Sequence, residues 1–483
     1  MNELRMSRFV ASRGQKAGAR AHEDGRWMEA KRFHEDVEVV REPAVIRVEK
    51  RDDLACGDRK SGVPGRRGTA VLLPDVTEPI RKRLQRLAGA VYGCTMRLVS
   101  FGVASVLAAL SARRALFLVA AVLPVPPEQT GEDEPSVALL VPANDEAPTL
   151  GRLLASIELL QWPRDRLDVV LVDDGSADGT WELMDRWASA RDNAQALRLG
   201  RRSGKSAALN AALGVVAPVD IVVVCDADLR LAPDYLKRLV PALRDPSVGA
   251  AAGFLSSANS DASVIARYGA LETWVHQLVT AAGKDRLRLN PPTFAGSAYR
   301  RAALEAIGGF VSSKAGDDVG ASAALTRAGW RTRFVREARA DHVLADTASD
   351  YWRRHLRWGR NVFDAGRPRS IDGSTGPRRQ ALELGLAAIG YGDRLAFVAA
   401  VAFASGRRIS PVIPASYACL RALESVVAVV KAGEARRLPD YLAAVPLVLP
   451  LDIAASIAGT VAVRPSDPTW RRSRRSAVST PFE

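Results

Sequence analysis

An α/β fold, with a mostly parallel sheet and helices on both faces, is predicted by three features of this chain. Apolar runs of strand length alternate with helical patterns from residue 137 to residue 243, the rhythm of crossover-connected parallel strands. The strand runs are near-continuous in Val, Leu and Ile, as in Ile221-Val222-Val223-Val224, which suits strands covered on both faces. Carboxylates gather where those runs end, and ligand sites of open α/β sheets lie at the carboxyl ends of the strands.

The elements follow in order. Val137–Pro142 reads as a strand, Ala147–Leu160 as a helix, Leu167–Asp173 as a strand and Ala177–Ser189 as a helix. Lys205–Leu213 reads as a helix, Asp220–Asp226 as a strand and Pro233–Leu243 as a helix. Further on, residues 264–282 are expected to be helical and Thr332–Val335 extended.

The flanks differ in character. Residues 1–80 are polar, rich in Arg, Glu and Gly, and without a sustained period, the composition of a basic, largely disordered region. Residues 81–130 open on Arg81-Lys82-Arg83 and turn apolar from Leu98 to Leu123, interrupted by Arg113-Arg114. Neither half is long enough to span a bilayer. A strained span, a re-entrant hairpin or an interfacial helix pair are the alternatives. Residues 124–135, rich in Pro and Glu, form a linker. Residues 371–464 carry three apolar segments. Leu384–Ala404 is broken by Asp393-Arg394, and Ile409–Ala432 holds Arg421 and Glu424. Tyr441–Val463 has Asp452 as its only charge and is the best spanning candidate. Its Leu, Ile and Val residues offer about −3 to −6 kcal/mol of insertion energy, against about 2.5–3.5 for one central Asp. A basic tail, 465–483, follows. Its Arg471, Arg472, Arg474 and Arg475 put the C-terminus in the cytoplasm by the positive-inside bias.

Bulk properties narrow the function. Apolar content of 47% excludes global disorder. A net charge of +14 with a pI near 10.0 is compatible with nucleic acid, an anionic membrane or an anionic substrate. Arginines are denser outside the central third, and no aromatic-basic interleaving is present, so no nucleic-acid partner is expected. Four cysteines without a Cys-x-x-Cys suggest a reducing compartment.

The chemistry-bearing segments are Val141-Pro-Ala-Asn-Asp145-Glu146, Val172-Asp173-Asp174-Gly175-Ser176-Ala-Asp178 and Cys225-Asp226-Ala-Asp228. Two carboxylates at an Asp-x-Asp spacing repel unless a cation lies between them, and a hard divalent ion carrying phosphates meets that need. Asp174 reads as a nucleotide contact and Asp173 as a turn brace. Ser176 or Asp178 reads equally as a helix cap. Gly200-Arg-Arg-Ser-Gly204-Lys205 has three residues between its glycines where a P-loop needs four. A Gly-Lys opening a helix still suits an anion.

In this order the motifs resemble family 2 glycosyltransferases of the GT-A fold, a Rossmann-like architecture, over about Val137 to Ala365. Phe294-Ala295-Gly296-Ser297-Ala298-Tyr299-Arg300 is similar to the family's small-residue segment, and Gly308-Gly309-Phe310 follows it. Gly316-Asp317-Asp318-Val319 is similar to its acidic pair, and Arg354-His355-Leu356-Arg357-Trp358 to its (Gln/Arg)-x-x-Arg-Trp motif, characteristic of membrane synthases of β-linked polysaccharides. Asp145 stands where the family usually has Asn.

The resemblance implies a glycosyltransferase domain at 131–370 with a UDP-type nucleotide-diphosphate sugar as donor and a glycan or lipid-linked acceptor. It implies Mn²⁺ or Mg²⁺ on Asp226 and Asp228, with His342 approaching the metal or diphosphate, although a structural role for His342 is equally expected. Glu146, Asp174 and Lys205 would contact nucleotide and phosphate. Asp318 would be the general base, oriented by Asp317. Arg354 and Arg357 would meet the diphosphate, and Trp358 would stack on an acceptor sugar. The expectation is a cell-membrane enzyme with its catalytic domain in the cytoplasm. Trp274, His276 and Gln277 are read as core packing.

Overall fold

The computed structural model describes residues 77–124, 134–310, 317–365 and 393–461. The N-terminal region before residue 77, most of the linker, residues 366–392, the basic tail and the side chains of Asp317 and Arg357 lie outside the described residues.

One eight-stranded sheet forms the core. Its strands are β1 (Val137–Ala143), β2 (Leu167–Asp173), β3 (Ala194–Arg198), β4 (Ile221–Val224), β5 (Arg230–Leu231), β6 (Val248–Ser257), β7 (Ala298–Arg300) and β8 (Arg331–His342), in the order β3-β2-β1-β4-β7-β6-β8-β5. The β3-β2-β1-β4 half is parallel, with Val137 opposite both Leu167 and Ile221. Antiparallel β7 is inserted between β4 and β6, and β6 pairs parallel with β8. The expected parallel α/β core is therefore mixed at its centre.

Alternation along the strands builds two apolar layers. Leu139, Val141, Leu171 and Val223 pack on one face; Leu140, Val170, Val172 and Val222 pack on the other. All eight are essentially inaccessible to solvent, and each such side chain stabilises the fold by about 1.5–3 kcal/mol relative to exposure. The crossover helices are α2 (Ala147–Glu158), α3 (Thr180–Ser189), α4 (Lys205–Val215) and α5 (Tyr235–Leu239), preceded in the chain by α1 (Thr77–Val122). The boundaries expected at Asp220–Asp226 and Pro233–Leu243 contract. Cys225 and Asp226 lie beyond the end of β4, and Val240–Leu243 tightens into a 3₁₀ turn after α5.

Next come α6 (Val264–Trp274), a π-helical stretch Val275–Ala281 and α7 (Ala282–Arg286), then α8 (Arg301–Ala306), α9 (Asp317–Arg327) and α10 (Ala348–Ala365). The C-terminal helices are α11 (Asp393–Ser405), α12 (Val412–Ala432) and α13 (Leu438–Val461). Among the described residues, three helical segments are long and apolar enough to cross a membrane: Ile80–Val122, Val412–Ala432 and Ala435–Gly459.

Of the three alternatives for residues 98–123, the re-entrant hairpin and the helix pair are corrected here, because α1 is one continuous helix of 46 residues through Arg113-Arg114. Arg114 Nε donates to Asp393 at 3.1 Å and its Nη1 to Glu424 at 2.9 Å, while the Tyr417 hydroxyl bonds the same Asp393 at 2.8 Å. Paired in this way, the arginine need not break the helix.

The sheet core and the apolar helices share a buried layer in which Leu118, Phe254, Trp274, Leu278, Val429 and Tyr441 pack together. Gly283 on α7 lies against the α1 backbone, where an added Cβ would stand 2.4 Å from the Phe117 carbonyl oxygen. Lys431 donates to the Ala121 carbonyl and Arg336 to that of Lys431, so the C-terminal ends of α1 and α12 meet beside β8.

Candidate active site

The site lies at the carboxyl ends of β1, β2 and β4. Lys205 is the first residue of α4, and its Nζ stands 2.7 Å from Asp226 Oδ1 and 3.8 Å from Asp318 Oδ1. Three sequence-predicted residues, separated by up to 113 positions in the chain, thus converge on one cation. Each is roughly a third exposed, so the cluster faces solvent on one side.

Each member is held from behind. Gly296 N donates to the Val224 carbonyl at 2.8 Å and Val224 N to Ser297 at 3.0 Å, which fastens the Phe294–Ser297 segment to the strand carrying the two aspartates. The Tyr235 hydroxyl bonds the Gly296 carbonyl at 2.8 Å. Gly296 has a φ of +83°, and a Cβ there would lie 2.5 Å from that hydroxyl. Thr293 tethers α9, its hydroxyl donating to the Asp318 carbonyl at 2.9 Å and its amide donating to Ser322 Oγ at 2.8 Å. Asp317 and Asp318 open that helix, where carboxylates are favoured by the dipole as well as available for chemistry. Asn210 on α4 brackets Phe310, donating to its carbonyl at 2.8 Å and accepting from its amide at 2.9 Å.

Asp174 is buried, and its two oxygens accept the Ser203 and Gly204 amides at 2.6 and 2.8 Å. Its observed bonds hold the loop that delivers Lys205. Glu146 is buried at the start of α2, where its carboxylate accepts the Thr149 hydroxyl at 2.8 Å. Asp173 accepts the Ser176 amide at 3.0 Å, as expected of a turn brace. Asp178 accepts from the Thr180 amide and hydroxyl and from the Ala147 amide, but the N-cap of α3 is Gly179, so Asp178 braces the turn before the helix and does not cap it. Asp145 adopts φ +55° and accepts the Ala177 amide at 2.8 Å, so it ties the β1 and β2 loops together.

Asp228 is buried beside β5, which pairs antiparallel with β8 so that Arg230 stands opposite Asp341. His342, the last residue of β8, therefore shares the sheet edge with Asp226 and Asp228. Arg230 grips Asp341 at 2.5 and 3.1 Å. Burial, with Arg230 beside it, lowers the Arg152 guanidinium below its ordinary range, while Asp341 and Asp228 oppose that shift. These two arginines, which no sequence motif pointed to, lie among the carboxylates Asp228 and Asp341. Cys225 is buried, which pushes its thiol well up; it is a packing residue.

Arg354 and Trp358 lie on α10, the guanidinium 4.8 Å from the ring centroid, and α10 packs along α13. His355 meets Trp358 edge-on at 4.9 Å. Trp274 and Gln277 are packing residues as expected. Trp274 packs at 5.0 Å against Tyr441 with the rings tilted, and the Gln277 amide oxygen accepts the Leu255 amide at 2.8 Å.

Residues 135–361 match the family model described as "Glycosyltransferase like family 2". An N-acetylglucosaminyltransferase of Mesorhizobium japonicum is 33% identical over 249 residues, 48% of this chain and 57% of that protein. A beta-monoglucosyldiacylglycerol synthase of Synechocystis sp. is 29% identical over 249 residues, 49% of this chain and 51% of that protein. The chain thus spans about half the length of these curated relatives. Among solved structures, the mannosyltransferase PcManGT from Pyrobaculum calidifontis, in complex with GDP-Man and Mn²⁺, matches with a TM-score of 0.50 and 24% identity over 72% of this chain and 99% of that one. The segment from 135 to 361 thus resembles family 2 glycosyltransferases, on a GT-A-like core flanked by long apolar helices.

Proposed function

We propose that this chain is a membrane-associated inverting glycosyltransferase. It moves a sugar from a nucleotide-diphosphate sugar, of the UDP type, to a glycan acceptor on the cytoplasmic face of the cell membrane. The observation that carries this reading is the convergence of Lys205, Asp226 and Asp318 at one strand edge.

Transfer is an in-line displacement at the anomeric carbon. Asp318 takes the proton of the acceptor hydroxyl as that oxygen bonds the carbon, and Asp317 orients the base or the acceptor. The bond from the carbon to the diphosphate breaks, and the diphosphate leaves with the electron pair. Lys205, with Arg354 and Arg357, meets the charge that develops. The hard oxygen donors of Asp226 and Asp228, with His342 at the same edge, suit Mn²⁺ or Mg²⁺, and Asp226 already faces a cation in Lys205. When bound, the metal supplies positive charge to the leaving diphosphate. Glu146 and Asp174 border the nucleotide subsite. Trp358 offers an aromatic face to the acceptor sugar.

A second group, Glu272, His355 and Asp452, offers ligand atoms within 4.8 Å of one another. Arg394 bonds both of its carboxylates, so we read it as an internally neutralised polar cluster and not as the metal centre.

The packing of α10 along α13 favours a second reading, in which one sugar is added to a lipid. Product length separates the two: a ladder of oligomers supports a synthase and a single adduct supports the lipid transferase. Nucleoside-diphosphate release by the detergent-solubilised protein, across UDP-, GDP- and TDP-sugars with Mn²⁺, tests the shared chemistry. Release from one donor that disappears with EDTA is expected. Asp318→Asn should abolish transfer and retain nucleotide binding; equal activity in that variant removes Asp318 as the base.

A further inference from the structure

Four helices meet at one polar cluster away from the sheet edge. Glu272 on α6 accepts the Tyr351 hydroxyl at 3.1 Å and faces His355 Nε2 at 2.9 Å, both from α10. Arg394, at the start of α11, donates Nη2 to Glu272 at 2.5 Å and Nε to Asp452 of α13 at 2.7 Å. The Tyr268 hydroxyl of α6 bonds the same Asp452 oxygen at 3.0 Å. Both ring nitrogens of His355 face acceptors, Nδ1 standing 2.9 Å from the Tyr351 carbonyl. Two carboxylates thus share one guanidinium, and Glu272 faces the imidazole as well, in a largely buried setting.

Its neighbour in the chain is the Arg-x-x-Arg-Trp segment. His355 lies inside that segment, stacks on Tyr351 at 3.8 Å and touches Trp358. Whatever fixes His355 therefore fixes the rotation of α10 about its own axis, and with it the direction of Arg354 and Trp358. A helix rotated by one residue turns every side chain by about 100°, so the bonds to Glu272 fix the directions in which Arg354 and Trp358 leave α10.

We propose that Arg394 is a positioning residue. Joined to Glu272 and Asp452, it clasps the Arg-x-x-Arg-Trp helix to the last apolar helix and sets the acceptor side of the active site. The inference rests on the transferase reading for its kinetic consequence, though not for the clasp itself. Seating of α13 is thereby coupled to the orientation of Trp358, so acceptor use responds to the apolar helices while the donor cluster around Lys205 does not.

The test uses the full chain in lipid nanodiscs with Arg394→Met, Arg394→Lys and Glu272→Gln. Amide hydrogen exchange is followed in peptides covering 348–358 and, as an internal reference, 205–215. In Arg394→Met, exchange in 348–358 should rise at least tenfold while 205–215 stays as in the wild type; Arg394→Lys, which keeps a cation between the carboxylates, should recover most of that protection. With the donor that the wild-type protein hydrolyses, Arg394→Met should lower kcat and raise the acceptor KM by tenfold or more, leaving the donor KM within twofold.

Unchanged exchange in 348–358, or equal loosening of both peptides, overturns the clasp. A donor KM that rises with the acceptor KM overturns its specificity for the acceptor side. If the wild-type protein releases no nucleoside diphosphate, the transferase reading fails, and the exchange experiment still decides whether the clasp exists.

Discussion

Replacing Lys205 by Met should make the site bind Mn²⁺ more tightly and the donor more weakly. In the structure the ammonium lies 2.7 Å from Asp226 and 3.8 Å from Asp318, so it holds the position against one proposed metal ligand that an added cation would contest. A unit charge pair at 2.7 Å is worth about 6 kcal/mol at an effective dielectric of about 20, and about 1.5 kcal/mol in bulk water. All three side chains are 28–34% exposed, so solvent screening brings the net competition near the lower figure, about 1–1.5 kcal/mol. That corresponds to a roughly five- to tenfold gain in Mn²⁺ affinity. Donor affinity should fall by a similar or larger factor, because the diphosphate loses a cation. The assay is titration of the nucleotide-free protein with Mn²⁺, reading free ion by electron paramagnetic resonance, followed by donor titration at saturating Mn²⁺. Opposite signs in the two titrations are the signature. Unchanged or weaker Mn²⁺ binding in Lys205→Met would refute the idea that lysine and metal compete for Asp226.

Other perturbations follow from the supports of the same cluster. Asp174→Ala strips the Ser203 and Gly204 amides of a charged acceptor, at about 1.5–3 kcal/mol per bond; thermal unfolding in detergent should rank wild type above Asp174→Asn above Asp174→Ala. Gly296→Ala forces a left-handed residue and a contact with the Tyr235 hydroxyl. It should lower the midpoint by several degrees, and Tyr235→Phe should recover only the steric part, since about 1–2 kcal/mol of backbone strain stays. Arg114→Leu leaves Asp393 and Glu424 without their shared cation, a loss of about 3–5 kcal/mol. Removing the acids as well, by Asp393→Leu and Glu424→Leu, should restore part of the midpoint.

The strand edge was readable because burial on both faces of a parallel strand leaves a plain mark. Ile221–Val224 is β-branched throughout, and Asp226 follows where the sheet ends. Lys205 was readable for a similar local reason, a glycine immediately before a helix. The centre of the sheet was not. Strand β7 has only three residues, Ala298, Tyr299 and Arg300, too short to leave a period, and β6 contains Val248-Gly-Ala-Ala-Ala-Gly, whose Gly and Ala are depleted in strands and take their state from their neighbours. Asp174 was picked out by type, while its bonds to the Ser203 and Gly204 amides depend on a loop 29 and 30 residues away. The same limit hid the Thr293 tether, since a threonine before a small-residue segment carries no local sign that it will bond a helix start 25 residues on.

The apolar helices show why charges mislead when each segment is weighed alone. A hydropathy window scores Arg114, Asp393, Glu424, Arg394 and Asp452 as separate penalties, each of about 2.5–3.5 kcal/mol at a membrane centre. Arg114 finds its partners 279 and 310 residues later, and Arg394 finds Asp452 58 residues later and Glu272 122 residues earlier. A charge that argues against insertion of its own helix becomes a bond once the others are present. Asp393 and Glu424 meet Arg114 of α1, and Asp452, the one charge in the apolar stretch Tyr441–Val463, is the group that Arg394 holds. Such helices gain their stability as a set, so substitutions within one of them should be felt across the set, and, through Arg394, at the helix that carries Trp358.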